Sequence, residues 1–579
     1  METLEKKMLS LAETFKDREV TGSEAVIMSL LCENVSTIFG YPGGAIMPIY
    51  DALYDYQDRI KHYLVRHEQG AIHAAQGYAR VSGGVGVCFA TSGPGATNLV
   101  TGIADAQIDS TPLVCITGQV PSHLLGTDAF QETDIISISM PITKWHYQVT
   151  DAREIPEVIA KAFYIANSGR PGPVLVDITK DAQNQKINFS YKKCERIRSY
   201  QPFPKPKQAD LIKAAEFINN SEKPLLLFGH GVLIAQAQEE LKKIIEKAEI
   251  PAAWTIMGLS ALDTSHSLNV GMLGMHGNYG PNLKTNECDV LIAVGMRFDD
   301  RVTGDLKRYA KQAKIIHIEI DPAEIDKNVK TDVAINADAK IALRDLLPLI
   351  KENKHSEWLQ EFKECTEKEF EMVISDELYP KSGGLKMGEV INKVSELTKG
   401  EAIVVTDVGQ HQMIAMRYYN YHKIRTNVTS GGFGTMGFAL PASMGSKVAK
   451  PNETVIAVIG DGGFQMTLQE LGCISQYKIP VKIIILNNNF LGMVRQWQEL
   501  FFEKRYSFTE MVNPDFVAIS KGFGIEAEKV ETREEIEGAL QRMFEDKEKP
   551  YLLNIIVEKE VNVFPMVASG DSVSNIRLS

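Results

Sequence analysis

Val455-Ile456-Ala457-Val458-Ile459-Gly460-Asp461-Gly462, followed after residues 463–480 by Val481-Lys482-Ile483-Ile484-Ile485-Leu486-Asn487-Asn488, decides the fold. Each half is an apolar run that ends in small or polar residues. Near-continuous Val/Ile/Leu runs of this length read as strands buried on both faces, which requires a parallel sheet covered by helices. Asp461 and Asn488 then fall at the carboxyl ends of two strands, where open α/β sheets bind their ligands. Carboxylate and amide oxygens are hard donors that suit Mg²⁺, which keeps its other positions for phosphate and water. The flanking glycines let the backbone approach a diphosphate closely. The pair therefore predicts a Mg²⁺-diphosphate site. Ordinary strand-end turns also use Gly-Asp-Gly and Asn-Asn, so the rest of the chain has to decide between the two.

Composition narrows the class. The chain has 579 residues, 44% hydrophobic and 23% charged, which fits a folded protein of several domains. Its net charge is −12 and it has no long Lys/Arg run, which argues against a nucleic-acid partner. No apolar run approaches the roughly 20 residues of a membrane span. Met1-Glu2-Thr3-Leu4-Glu5-Lys6-Lys7 carries both signs of charge and resembles neither a signal nor a transit peptide. The seven cysteines are scattered without a CxxC spacing, as expected of buried thiols in a reducing compartment. A cytoplasmic protein is expected.

Three α/β units follow from the alternation of helical and strand-like segments. Residues 1–190 form the first, with strands at Val35–Gly40, Val85–Ala90, Leu113–Thr117 and Val174–Asp177. A basic, Pro-bearing linker spans 191–209. The second unit, 210–376, has strands at Pro224–Phe228, Val290–Val294 and Ile315–Ile320 and ends in a charged helical stretch, Ala339–Asp376. The third, 377–579, adds Ala402–Thr406 and Tyr551–Val557 to the opening pair of strands. The fold expected is three doubly wound parallel sheets, and the first and third units share a layout that suggests internal duplication.

Further motifs weigh on the chemistry. Glu68, in Arg66-His67-Glu68-Gln69-Gly70-Ala71, opens an Ala-rich helix, where the helix dipole favours a carboxylate. Ser92-Gly93-Pro94-Gly95-Ala96-Thr97-Asn98 reads as a tight turn, without the Lys-Ser/Thr ending of a P-loop. Gly432-Phe433-Gly434-Thr435-Met436-Gly437 matches GxGxxG, but it follows a weak strand and has Pro441 close behind, so it reads better as a Gly-rich loop presenting Met436. By this motif alone a nicotinamide dehydrogenase remains an alternative.

Together these stretches resemble the thiamine-diphosphate-dependent decarboxylase and carboligase family, over nearly the whole chain. Within it the similarity is to the acetohydroxyacid-forming synthases, carried by Gly40-Tyr41-Pro42-Gly43-Gly44, Arg66–Ala71, Gly126–Glu132, Met272–Gly277, Arg297–Gly304 and Leu491–Trp497. The resemblance implies a pyrimidine-binding, a central FAD-binding and a diphosphate-binding domain. It implies decarboxylation of pyruvate and transfer of the two-carbon unit to pyruvate or 2-ketobutyrate, as in branched-chain amino-acid biosynthesis. Thiamine diphosphate, Mg²⁺ and FAD are the implied cofactors. An oxidase or decarboxylase of the same family is the nearest rival, although no adjacent His-His pair of the decarboxylase kind is present. A flavin-free catabolic synthase should lack both Arg297–Arg301 and Trp497.

Residue by residue, the resemblance makes Glu68 the carboxylate that activates the aminopyrimidine. Asp461, Asn488 and the Phe490 backbone oxygen would ligate Mg²⁺. Gln410, His411, Gly434, Met436, Gly462, Gly463, Gly492 and Met493 would contact thiamine diphosphate. Arg301 would meet the acceptor's carboxylate and Trp497 its alkyl group, with Phe130 and Gln131 lining the site from a partner subunit. Arg170, His276, Gly277, Arg297, Asp299, Glu319 and Asp338 would hold FAD. Three departures stand out: His230 in Gly229-His230-Gly231, where glycines are common; Glu319 in place of Asp; and Ala568 in place of a proline. A homodimer or higher oligomer with interfacial sites, and a small regulatory subunit, are the implied partners.

Overall fold

A computed structural model describes residues 11–579; the amino-terminal stretch weighed above for targeting, Met1–Lys7, lies outside the described residues. Three six-stranded, wholly parallel sheets carry the chain. In the first unit the strands are Thr37–Gly40, Lys61–Leu64, Gly86–Ala90, Leu113–Gln119, Trp145–Val149 and Pro173–Thr179, in spatial order 2-1-3-4-6-5. The third unit repeats that order with Ile403–Thr406, Asn427–Thr429, Val455–Gly460, Lys482–Asn487, Glu526–Val530 and Tyr551–Ile556. Identical strand order in units of unlike sequence is the expected trace of a duplication. The central unit differs. Pro224–Phe228, Ala252–Trp254, Asn269–Met272, Val290–Val294, Lys314–Glu319 and Val333–Asn336 lie in the order 3-2-1-4-5-6, the dinucleotide-binding arrangement.

The opening strand explains how the units join. Its side chains alternate between two faces. Val455, Ala457 and Ile459 enter a core shared with the first unit. Ile456 and Val458 enter a core shared with the central unit. A strand apolar at every position is thus apolar for two separate partners. Replacing any one of the four valines and isoleucines by a polar side chain forfeits about 1.5–3 kcal/mol of burial on one side only.

Between the first and third units, helix Glu68–Ser82 crosses helix Ala439–Ala449 with no side chain intervening. A Cβ on Gly77 would lie 2.0 Å from the Ala442 carbonyl oxygen, and one on Gly445 would lie 1.8 Å from the Ala74 oxygen. Only glycine permits this approach.

The stretch expected to be helical over Ala339–Asp376 is divided. Helix Ala339–Leu346 runs into a 3₁₀ turn, Leu347–Leu349, that holds Pro348. A second helix, Ser356–Glu369, continues through a π turn, Phe370–Ile374. Proline lacks the N–H that the continuing helix needs. Residues 189–207 carry neither helix nor strand, and a helix begins at Gln208. Among the described residues no helix is long and apolar enough to cross a membrane.

Candidate active site

In an open parallel sheet the ligand crevice lies where the strand order reverses. In the third unit that point falls between Ile403–Thr406 and Val455–Gly460. The loops leaving these two strands carry Gly409-Gln410-His411 and Gly460-Asp461-Gly462, and a cleft there is lined by Gln410, His411, Met436, Asp461, Gly462, Gly463, Asn488, Phe490, Gly492 and Met493. Ten residues expected at one site are therefore brought together.

Asp461 is almost fully buried, and burial pushes its carboxyl up to about 6. No cationic side chain lies within ion-pair distance of it among the described residues. Its Oδ2 accepts instead from Asn513 Nδ2 at 2.7 Å, and the same amide donates to the Asn487 and Asn489 side-chain oxygens, each at 3.0 Å. Asn513 was invisible to sequence reading because it lies in a segment without regular structure. Asn488 Oδ1 accepts from the Phe490 N–H at 3.1 Å, and its amide reaches Gln410 Oε1 at 3.4 Å.

These residues fit a Mg²⁺-diphosphate. A buried carboxylate without a cation gains most from a divalent ion, and Mg²⁺ uses few protein ligands, the rest coming from phosphate and water. No cluster of three or more His, Cys, Asp or Glu able to cage a metal occurs among the described residues. The fully buried His411 keeps Nε2 without a partner, and burial holds it neutral by pushing its pKa down to about 3. A Cβ at Gly492 would strike Gln410 Oε1 at 2.3 Å, so the cleft is shaped to exclude side chains there.

A larger cavity of about 950 Å³ opens beside the cleft and shares Met436 and Met493 with it. Arg170, His276, Arg297, Asp299, Glu319 and Asp338 line it, as do Gly434, Arg301, Trp497 and His230. Gly277, next to His276, is not in the lining, although Arg417 Nη2 holds both carbonyls, at 2.8 and 3.1 Å. His276 Nδ1 is buried without a partner. Glu319 ends its strand in the cavity wall, and burial pushes its carboxyl up to about 7. Asp299 and Asp338 each cap a short helix through backbone N–H groups, at 3.0–3.2 Å. Arg170 pairs with Asp321 and Glu324 at 3.1 and 3.0 Å. A cavity of this size at the switch of a 3-2-1-4-5-6 sheet, with an unpartnered buried imidazole, fits a dinucleotide such as FAD.

Arg301 is largely exposed and only loosely paired with Asp300, at 3.6 Å, so its guanidinium is free to take a carboxylate. Trp497 stacks at a tilt on Phe501, with centroids 5.0 Å apart, and offers an apolar face to the cavity.

Glu68 and Gln131 line neither space. Glu68 heads its helix as expected, with His67 as the N-cap, and its Oε2 accepts from Asn98 Nδ2 at 2.9 Å. Gly93 and Gly95 pack against Gln131 and Glu68 respectively. The Ser92–Asn98 turn thus gathers a second, separate group at the switch point of the first sheet, and Phe130 stands 88% exposed beside it.

Three parallel-sheet α/β units, with a cleft and a larger cavity at the switch points of two of them, define a cofactor-dependent α/β enzyme. Profiles of the thiamine pyrophosphate enzymes match all three units: the N-terminal TPP binding domain over residues 20–138, the central domain over 211–346, and the C-terminal TPP binding domain over 407–555. An acetolactate synthase large subunit of Corynebacterium glutamicum is 46% identical over 571 residues, covering 96% of this chain and 90% of that one. A probable acetolactate synthase large subunit of Methanocaldococcus jannaschii is 46% identical over 564 residues, covering 96% and 95%. The acetolactate synthase isozyme 2 large subunit of Escherichia coli K12 is 44% identical over 563 residues, covering 96% and 99%. The chain belongs to the thiamine pyrophosphate enzyme family, among the acetolactate synthase large subunits.

Proposed function

We propose that this protein decarboxylates pyruvate and joins the two-carbon unit to a second 2-keto acid, giving acetolactate from pyruvate or acetohydroxybutyrate from 2-ketobutyrate, for branched-chain amino-acid biosynthesis. The observation that carries this reading is the continuity of the two spaces: Met436 and Met493 belong to both, so the diphosphate cleft opens onto the cavity that presents Arg301 and Trp497. Thiamine diphosphate, held there, would supply an acidic carbon as the nucleophile and a thiazolium ring as the sink for the electron pair freed by decarboxylation.

The chain's own groups do the rest. Asp461, Asn488 and the Phe490 carbonyl hold Mg²⁺, while Gln410, His411, Gly462, Gly463 and Gly492 shape the cleft around the diphosphate. Met436 is the apolar wedge under the cofactor. Glu68, its Oε2 fixed by Asn98, holds the proton on the pyrimidine side. Arg301 receives the carboxylate of the incoming keto acid and Trp497 its alkyl group. Arg170, His276, Gly277, Arg297, Asp299, Glu319 and Asp338 hold FAD.

Glu68 and Gln131 act on the cleft of a second copy. Their absence from both linings supports this, as does the exposure of Phe130, Phe433, Phe508 and Val512 around the two half-sites. The large-subunit relatives argue for a small regulatory partner, and the protein works in the cytoplasm. An assay of the purified chain with pyruvate, thiamine diphosphate, Mg²⁺ and FAD tests the proposal. Acetolactate that yields to acetohydroxybutyrate on adding 2-ketobutyrate is expected; acetaldehyde or acetyl phosphate as the main product overturns it.

A further inference from the structure

Three buried charges of the first unit have no part in the chemistry above. Asp105 and Asp109 lie four residues apart at the end of helix Val100–Ile108, and Arg80 reaches them from helix Glu68–Ser82. All three are more than nine-tenths buried. Arg80 Nη2 pairs with Asp109 at 3.0 Å and stands 3.8 Å from Asp105. Taking such a cluster out of water is costly unless hydrogen bonds satisfy it. Arg80 Nη2 also donates to Gln76 Oε1 at 3.0 Å, and the other side-chain bonds leaving the cluster go to one loop of the third unit, Thr429–Thr435.

The cluster holds the loop at five polar groups. Arg80 Nη1 donates to the Thr429 carbonyl. Asp105 Oδ1 accepts from Ser430 Oγ, and from Thr435 Oγ1 at 2.9 Å. Asp109 Oδ2 accepts from the Gly431 N–H at 2.8 Å, and its Oδ1 accepts from the Gly432 N–H at 2.7 Å. Side chains cannot intrude: a Cβ at Gly431 would meet Met257 Sδ at 2.5 Å, and one at Gly432 would meet Arg297 Nη2 at 2.9 Å. The next residues are Gly434 and Met436, which face the cofactor cavities.

Asp109 has a second attachment, through its backbone. His230 Nδ1 lies 3.0 Å from the Asp109 carbonyl oxygen. A carbonyl only accepts, so Nδ1 carries the hydrogen and Nε2 is left as an acceptor. His230 and Arg297 both form wall of the large cavity. Asp109 and Ser430–Gly434 themselves line the large cavity, so residue 109 is bonded on its backbone side to His230 in one wall of it and on its side-chain side to a loop in another wall, which continues to Met436, the residue shared with the diphosphate cleft.

We propose that Asp109 is a positioning residue that couples the two cofactor cavities: a ligand packed on His230 and Arg297 orders residue 109, which orders the Gly431–Met436 loop for thiamine diphosphate. Ordering done by the first ligand need not be repeated for the second, which is positive cooperativity without a gross change of shape. Linkage then requires each cofactor to tighten the other by the same factor. The inference rests on the cofactor assignment made above.

The test is a thermodynamic cycle on the purified full chain. FAD binding is followed by quenching of flavin fluorescence, with and without thiamine diphosphate and Mg²⁺; thiamine diphosphate binding is followed by calorimetry, with and without FAD. The wild-type chain is expected to give equal coupling factors of about 5-fold or more in the two directions. D109N, which cannot accept from both Gly431 and Gly432 while pairing with Arg80, is expected to bring the factor close to one. H230A, which leaves the loop's bonds intact, is expected to do the same; it decides the matter if D109N does not fold. Wild-type binding of both cofactors with no mutual effect overturns the coupling alone, as do variants that keep the wild-type factor. Failure of the wild-type chain to bind thiamine diphosphate at all removes the cofactor assignment and the coupling together.

Discussion

Gly492→Ala is the sharpest probe of the diphosphate cleft. The new Cβ would lie 2.3 Å from Gln410 Oε1 and 2.7 Å from Asn488 Nδ2. A glutamine tip would normally swing aside at little cost, but this one is tethered. Gln410 Nε2 donates to Gln496 Oε1 and to the Val561 carbonyl, both at 3.0 Å. Moving Oε1 by about 1 Å to ordinary contact stretches both bonds and displaces the Asn488 amide as well. The loss is about 2 kcal/mol for two buried hydrogen bonds, or about 30-fold in affinity. Gly492 is the first residue of helix Gly492–Phe501, and alanine's better helix propensity offsets up to about 1 kcal/mol of any global loss. Thiamine diphosphate, titrated by calorimetry at saturating Mg²⁺, should therefore bind about 30-fold more weakly, while urea titration should show a global loss of about 1 to 2 kcal/mol at most. Gly522→Ala is the control, since nothing lies within 4 Å of a Cβ there. Binding by Gly492→Ala within about twofold of wild type would refute the reasoning.

Three further outcomes are expected. Glu68→Gln keeps an acceptor for Asn98 but cannot hold a proton, so turnover should fall by about 10²- to 10⁴-fold while thiamine diphosphate still binds, as single-turnover assays would show. Trp497→Ala removes the apolar face for the larger acceptor, and the ratio of acetohydroxybutyrate to acetolactate in a competition assay should fall by about tenfold. Glu470, whose carboxyl accepts the Arg66 and His67 N–H groups, is pushed up to about 7 by burial. The folded state therefore binds its proton more tightly than the unfolded chain, and stability is lost as pH rises toward and through 7. Glu470→Gln keeps the acceptor, so between pH 5 and pH 8 it should lose about 3 kcal/mol less than wild type in denaturant titrations.

What could be read from sequence follows the burial of each strand. Pro224–Phe228 and Val290–Val294 appear in the structure with the bounds expected of them, because they are apolar at every position. Lys61–Leu64, Trp145–Val149, Asn427–Thr429 and Glu526–Val530 escaped or read as weak. Each lies at or near a sheet edge, is short, and mixes polar with apolar residues. That Asp461 and Asn488 meet in one cleft was legible because both follow neighbouring strands that are apolar throughout. The Arg80–Asp105–Asp109 cluster was not, though two carboxylates four apart on an otherwise apolar helix were a sign of buried partners. Asn513 gave no sign at all: an asparagine in irregular chain has nothing periodic to betray it.

The contact between helices Glu68–Ser82 and Ala439–Ala449 is main chain on main chain, at Gly77 with Ala442 and Gly445 with Ala74. Side chains that separate two elements act as soft spacers, because they hop between rotamers and repack as temperature changes. Two peptide backbones in direct touch have no such freedom. The spacing between the first and third sheets behaves as a gauge block set by covalent dimensions, and warming the protein should leave that spacing unaltered until the units come apart altogether.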